Sequence, residues 1–320
     1  MKAIKVREFG GPEVLRLEET PRPQPGTGQV LVRVHAAGVN PYEAYIRAGS
    51  YPNLPRLPYT PGSDGAGVVE AAGPGVVSVR PGDRVYIAKS LSGTYAEYAL
   101  ALEGQVHPLP ARVSFQQGAG IWVPYGAACH ALLHQAQARP GETVLVHGAS
   151  GGVGCAAVQL AKSMGLTVLG TAGSQKGREL VLRQGADRVF DHSSPGYLKE
   201  VEQACGGRGA DVILEMLANV NLPADLGLLA AGGRVVVIGS RGETTINPRD
   251  LMSRRGSIRA FTLWAVTPQE EREIHAVIAA GLGNGALTPA IGREFPLAQA
   301  AAAHAALTER GAAGKVILAV

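Results

Sequence analysis

The chain has 320 residues, with 30 Lys+Arg against 26 Asp+Glu and a formal net charge of +4. Two domains' worth of length excludes a mini-domain or a disulfide-stapled scaffold. Hydrophobic residues make up 46% and charged residues 18%, enough apolar material for two cores and too little charge for disorder. Acidic and basic residues are interspersed, which argues against a nucleic-acid-binding tail. The cysteines, Cys129, Cys155 and Cys205, are odd in number and form no CxxC pair, so neither a disulfide framework nor a zinc–cysteine site is expected, and a reducing cytoplasm is the simplest home. Lys2, Lys5, Arg7 and Glu8 interrupt what would be the apolar heart of a signal peptide, and no run reaches the roughly 18 apolar residues of a membrane span. The chain is expected to be neither secreted nor membrane-spanning.

From residue 1 to about 115 the pattern is one of strands and turns. Residues 29–34 alternate, residues 67–70 form a second apolar run, and Gly10-Gly11-Pro12, Pro74-Gly75 and Pro81-Gly82-Asp83 punctuate them. After Pro140-Gly141 the texture changes to apolar strand, small-residue turn and Ala-rich helix, repeated. Residues 143–147, 167–170, 211–214 and 234–238 are near-continuous Val/Leu/Ile runs, the mark of a parallel sheet buried on both faces. Residues 257–264 read as its last strand. Beyond 267 the spacing predicts helices over 269–280 and 297–308 and a closing strand over 315–318. That strand needs a sheet to join, so the last segment is expected to return to the first domain.

The strand ending at His147 runs into Gly148-Ala149-Ser150-Gly151-Gly152-Val153-Gly154 and a helix over 155–164. A small-residue turn between strand and helix lets backbone approach a pyrophosphate, and the helix N-terminus offers free N–H groups and partial positive charge. A strand before, and a helix and second strand after, are the context the motif requires. An NAD site wants an acid about 20 residues on; here stands Gly170-Thr171-Ala172-Gly173-Ser174, followed by Lys176 and Arg178. With no carboxylate to repel a 2′-phosphate and two cations to neutralise one, NADPH is expected over NADH.

Further segments carry a family. Glu8 to Leu15, Val34 to Pro41, Leu57 to Asp64, Val146 to Gly154, Glu215 to Leu222 and Ile246 to Asp250 together make the whole chain resemble the zinc-independent quinone reductases of the medium-chain dehydrogenase/reductase superfamily, most closely the zeta-crystallin group. The resemblance implies an α/β protein with a GroES-like β-rich catalytic domain, residues 1–115 and 264–320, and an inserted Rossmann domain, residues 116–263, with NADPH in the cleft. By position it implies a pyrophosphate turn at Ser150, Gly151, Gly152 and Val153, a 2′-phosphate region at Gly173, Ser174 and Lys176, and an adenosine-side contact at His192. Asn221, the Ile238-Gly239-Ser240-Arg241 loop and Phe261-Thr262-Leu263 would meet the nicotinamide half, and Tyr45 would reach it from the other domain.

The zinc-dependent cousins have a cysteine ligand, a Gly-His-Glu segment and a four-cysteine lobe, where this chain has Asn40, Gly62-Ser63-Asp64 and no cysteine cluster. No metal is therefore expected; His130 and His134, at i, i+4, lack an intervening glutamate. Without a metal, catalysis rests on holding the hydride about 3–3.5 Å from the acceptor. The acceptor end is expected at Asn40, Tyr45 and Tyr51, since a phenol can donate to a developing oxyanion and stack on a quinone. Reduction of an enone, enal or enoyl thioester uses the same geometry and stands as the alternative; a crystallin-like structural or RNA-binding role is the non-enzymatic one, the near-balanced charge counting against RNA. The 257–264 edge strand invites a homodimer, with a tetramer as the alternative.

Overall fold

The computed structural model describes residues 1–309, 311 and 313–320. Seven strands come first in the chain: β1 (Lys2–Lys5), β2 (Arg16–Glu19), β3 (Gln29–Val39), β4 (Asp64–Ala72), β5 (Arg84–Ala88), β6 (Tyr98–Leu102) and β7 (Val106–Pro108). A short helix, α1 (Pro41–Arg47), leaves the end of β3. β1 and β2 form a separate antiparallel pair, and β3 runs five residues beyond the alternating stretch that announces it. The extension is Ala/Gly/Val-rich and buried, so the period-2 signal fades while the pairing with β4 continues.

The middle of the chain alternates strand and helix. In order come α2 (Phe115–Gly118), α3 (Trp122–Cys129), β8 (Thr143–Val146), α4 (Gly152–Ser163), β9 (Thr167–Thr171), α5 (Gln175–Arg183), β10 (Arg188–Phe190), α6 (Tyr197–Ala204), β11 (Ala210–Glu215), α7 (Ala218–Leu228), β12 (Leu229–Val237), α8 (Pro248–Arg254), β13 (Ser257–Ala260) and α9 (Pro268–Asn284). The sheet order is β10-β9-β8-β11-β12-β13, every pair parallel. Counted from β8 this is 3-2-1-4-5-6, the doubly wound dinucleotide order, whose direction of winding reverses between β8 and β11. Leu145, Leu169, Ile213 and Val235 fill its core together with Leu222 and Leu226 of α7.

The last segment supplies β14 (Ile291–Pro296), α10 (Ala300–Ala306) and β15 (Lys315–Ala319). β15 pairs antiparallel with β3 and parallel with β14, giving a seven-stranded sheet with the path β14-β15-β3-β4-β5-β7 and β6 on β3. The closing strand thus finds the sheet it needs. Its core holds Ile4, Tyr95, Ala303 and Leu318 on one side and Val32, Val69, Val85 and Ile87 on another.

Two compact units result, Met1–Val123 with Thr288–Val320, and Pro124–Leu287. These bounds differ from the expected 1–115 with 264–320 and 116–263. α9 accounts for the larger difference: Ile274 and Ile278 are fully buried, and Glu273 lies 3.5 Å from His134 in the helical turn after α3, which keeps α9 with the parallel sheet. Residues 257–264 are a strand only to Ala260, and Leu263–Ala265 form a 3-10 turn. Among the described residues no helix is long and apolar enough to cross a membrane.

Candidate active site

In the parallel-sheet unit the chain leaves β8 through His147 and turns at Gly148, whose φ of +57° few side chains tolerate. Gly151 caps α4, which begins at Gly152. A Cβ at Gly154 would run into the Gly148 carbonyl oxygen and stand 2.5 Å from Ala149 Cα, so the helix lies flush on the turn that precedes it. Ser150, Gly151, Gly152 and Val153 therefore present backbone at the start of a 12-residue helix, where the first N–H groups have no intrahelical partner. Such a turn can hold a dinucleotide pyrophosphate.

The residues expected on the adenosine side lie around the start of α5, which packs on this turn. Gly177, in the first turn of α5, packs on Ser150, whose Oγ lies 3.2 Å from where a Cβ would stand. Gly173 lies against the His192 ring in the same way, at 2.7 Å. Ser174 caps α5, its Oγ accepting from the Gly177 N–H at 3.1 Å. Lys176 is exposed in the first turn. Arg178, the second cation expected near a 2′-phosphate, is instead 2.6 Å from Asp191 Oδ2.

On the other side of the switch point, Asn221 donates to Glu215 Oε1 at 3.1 Å. The Ala218 N–H donates to the Gly239 carbonyl and the Arg241 N–H to Asn219 Oδ1, both at 2.9 Å. The turns holding Asn221 and Ile238 to Arg241 are thereby locked together at the carboxyl ends of β11 and β12. Phe261 packs against the His130 ring, centroids 4.6 Å apart, Thr262 is exposed and Leu263 is buried.

The other unit holds a polar network inside its sheet. Asn40, 1% exposed, caps α1; its backbone N–H donates to Glu43 Oε2 at 2.8 Å and its side-chain amide to Asp64 Oδ2 at 3.0 Å. Lys315, from β15, donates to Asn40 Oδ1 and to the Val39 carbonyl, and lies 3.5 Å from Asp64. Glu43 further accepts from the Tyr95 hydroxyl and from Ser63 N–H and Oγ. Burial raises the Glu43 and Asp64 carboxyls while Lys315 pulls both back; burial lowers Lys315, against the pull of the two acids.

Beside this network is a cavity of about 390 Å³ whose walls include Tyr42, Ile46, Leu54, Tyr59 and Ser63. The Tyr42 hydroxyl bonds to Ser63 Oγ, and burial holds the phenol well above its ordinary range, in the neutral, donating form. Tyr51 packs on Tyr42 with ring centroids 5.9 Å apart. Tyr45, half-buried on α1, does not line this cavity. Of the expected acceptor-end residues, then, neither Tyr45 nor Tyr51 lines the cavity, although Tyr51 packs on Tyr42 in its wall; Asn40 is sealed inside the network, and the hydroxyl-bearing residues of the wall are Tyr42, Tyr59, Thr60 and Ser63, none of which the sequence singled out. The signal for Tyr42 was its i, i+4 partnership with Ile46 on one face of α1.

Residues 26–111 match the model described as alcohol dehydrogenase GroES-like domain, and residues 152–280 that described as zinc-binding dehydrogenase. A GroES-like sheet with a Rossmann-type sheet defines the medium-chain dehydrogenase/reductase class, the α/β fold expected from the sequence. The quinone oxidoreductase of Rattus norvegicus is 51% identical over 320 residues, covering 99% of this chain and 97% of the relative. The Escherichia coli quinone oxidoreductase complexed with NADPH superposes with a TM-score of 0.90 at 28% identity, each chain fully covered. A structure described as an NAD-dependent alcohol dehydrogenase gives a TM-score of 0.93 at 32% identity, again with both chains fully covered. The chain belongs to the quinone oxidoreductase family of this superfamily.

The matched description names zinc, and the residues at the ligand positions do not fit it. Asn40, Ser63 and Asp64 offer an amide, a hydroxyl and one carboxylate where zinc takes thiolate, imidazole and carboxylate. Lys315 already places a positive charge between Asn40 and Asp64.

Proposed function

We propose that the protein is an NADPH-dependent quinone reductase that transfers reducing equivalents to a quinone without a metal. The observation that carries the cofactor half is the flush Gly154–Gly148 packing at the switch point, a cradle that any side chain would fill. When bound, NADPH supplies the hydride. Ser150, Gly151, Gly152 and Val153 hold its pyrophosphate with backbone N–H groups; Gly173, Ser174 and Lys176 receive the 2′-phosphate, and His192 flanks the adenosine. The choice of NADPH over NADH is supported by the absence of an acid at the end of β9 and by Lys176. Asn221, Ile238, Gly239, Ser240, Arg241, Phe261, Thr262 and Leu263 orient the nicotinamide half.

At the acceptor end the Tyr42 and Ser63 hydroxyls receive the quinone, in a cavity large enough for one or two rings, with the Tyr51 ring packed on Tyr42. A neutral phenol donates to the oxygen on which charge develops. Asn40 acts by positioning, since its amide is spent on Glu43, Asp64 and Lys315. The test is NADPH oxidation with a quinone panel and an enone panel; turnover of enones alone would overturn the substrate assignment.

We further propose a homodimer, supported by β13 forming one edge of the six-stranded sheet, which light scattering would check. The compartment we propose is the cytoplasm, supported by three buried, free cysteines.

A further inference from the structure

Directly under the switch point lies a sealed cluster that the reaction above does not use. His147 leaves β8, Glu215 ends β11 and Asp225 comes from α7; they are 3%, 0% and 0% exposed. His147 Nε2 is 2.8 Å from Asp225 Oδ1 and 3.8 Å from Glu215 Oε2. One oxygen of each acid and the imidazole nitrogen lie within 4.8 Å of one another. Glu215 Oε1 is occupied, accepting from the Leu217 N–H and from Asn221 Nδ2. The remaining oxygens, Glu215 Oε2 and Asp225 Oδ2, are buried and have no hydrogen-bond partner.

Two orphaned carboxyl oxygens from neighbouring acids need one hydrogen between them. If both acids were ionised, even an imidazolium would leave a net negative charge in a dry site. A proton on one carboxyl makes a donor for the other, satisfies both oxygens and brings the cluster to neutrality with His147 charged. We propose that Glu215 and Asp225 share one proton, and that this proton makes the pair a positioning element for the turn at residues 216–221. The second half rests on the reading that this turn meets the nicotinamide half of NADPH.

The link to the turn is direct. Protonation at Oε2 leaves Oε1 as the acceptor for Leu217 and Asn221, and the Glu215 carbonyl takes the Ile238 N–H at 2.8 Å. One residue thus reaches both turns, its side chain holding residues 217 and 221 and its backbone carbonyl the turn after β12. Loss of the proton places a second charge beside Asp225, and the folded arrangement of these turns bears the cost.

The groups facing the pair are His147 after β8, Thr171 at the end of β9, Tyr197 of α6, Asn221 of α7 and, through His147, His192 and Asp191 after β10. Burial raises the Glu215 carboxyl, and the Asp225 charge adds to it against the pull of His147. Burial lowers His147, but the bond to Asp225 outweighs it and the net shift is upward. A group with a raised folded pKa binds its proton more tightly in the folded state, so both groups contribute stability at low pH that is lost as pH rises.

The test compares the full-length protein with E215Q and D225N. Glu215→Gln reproduces the protonated acid, with an amide donor toward Asp225. Infrared spectroscopy in deuterated buffer should show a protonated-carboxyl band in the wild type at pH 6 that is missing in E215Q, shifted in D225N and lost by pH 9. NADPH affinity of E215Q at pH 6 should stay within about threefold of wild type, while the wild type should weaken several-fold more than E215Q between pH 6 and 9. If E215Q does not fold, the band shift in D225N decides. A wild-type spectrum without an assignable band, identical pH profiles for wild type and E215Q, or a stoichiometric metal ion whose chelation lowers Tm would each overturn the shared proton. A band with no NADPH binding at any pH would leave the shared proton standing and overturn the positioning role together with the cofactor reading.

Discussion

Lys315 Nζ stands 3.5 Å from Asp64 Oδ2, with both side chains almost fully buried. The pair joins the last strand of the chain to β4 and faces the cap of α1, so the end of the sequence helps hold the segment that carries Tyr42, Tyr45 and Tyr51. A buried ion pair of this kind need not stabilise relative to apolar packing, but removing one partner strands the other.

Lys315→Met should therefore cost about 3–5 kcal/mol, because Asp64 and Glu43 lose the buried cation that faces them. Denaturant unfolding checks this; a loss under about 1 kcal/mol would mean the two acids are neutral without it.

Gly154→Val should abolish cofactor binding, since the new side chain must displace the Gly148 and Ala149 backbone. Overpacking of this sort costs about 1–3 kcal/mol, so the variant is expected to remain folded with a lowered Tm. Fluorescence titration with NADPH separates the two effects.

Lys176→Glu should weaken NADPH binding about 10- to 100-fold and leave NADH affinity within about twofold, as expected for loss of one charge-assisted bond to the 2′-phosphate. Arg178→Ala should do less to the NADPH-to-NADH ratio, because its guanidinium is held by Asp191. Equal losses for both cofactors in K176E would contradict the 2′-phosphate assignment.

Tyr42→Phe removes a hydroxyl from the acceptor cavity while keeping the ring against Tyr51. Quinone kcat/KM should fall about tenfold with NADPH affinity unchanged, a loss of roughly 1.4 kcal/mol of transition-state stabilisation. Steady-state kinetics with both substrates varied will show whether the loss falls on the quinone alone.

The parallel sheet was legible because its strands are continuous Val/Leu/Ile runs separated by turns, and the close-packed Gly148–Gly154 turn because small residues cluster where strand meets helix. Lys315 was not legible: it opens an apolar strand, and only pairing of β15 with β3 brings it to Asn40 and Asp64. Asp225 was hidden for a similar reason, lying in an apolar helix whose inward face is set by packing on β11 and β12. Arg178 read as a phosphate ligand because Asp191, its partner, is thirteen residues away across a strand. Charges were readable one at a time; their pairing was not. The alternation of β3 likewise stopped at Val34 in the sequence, since Ala36, Ala37 and Gly38 carry too little side chain to mark a face.

The central claim is tested most directly by titrating the purified protein with NADPH and NADH, following nicotinamide fluorescence, and then adding a quinone to the NADPH complex. Tighter binding of NADPH by at least about tenfold, with quinone-dependent loss of the fluorescence, is the predicted result. Equal or tighter binding of NADH, or an NADPH complex that no quinone oxidises, would contradict it.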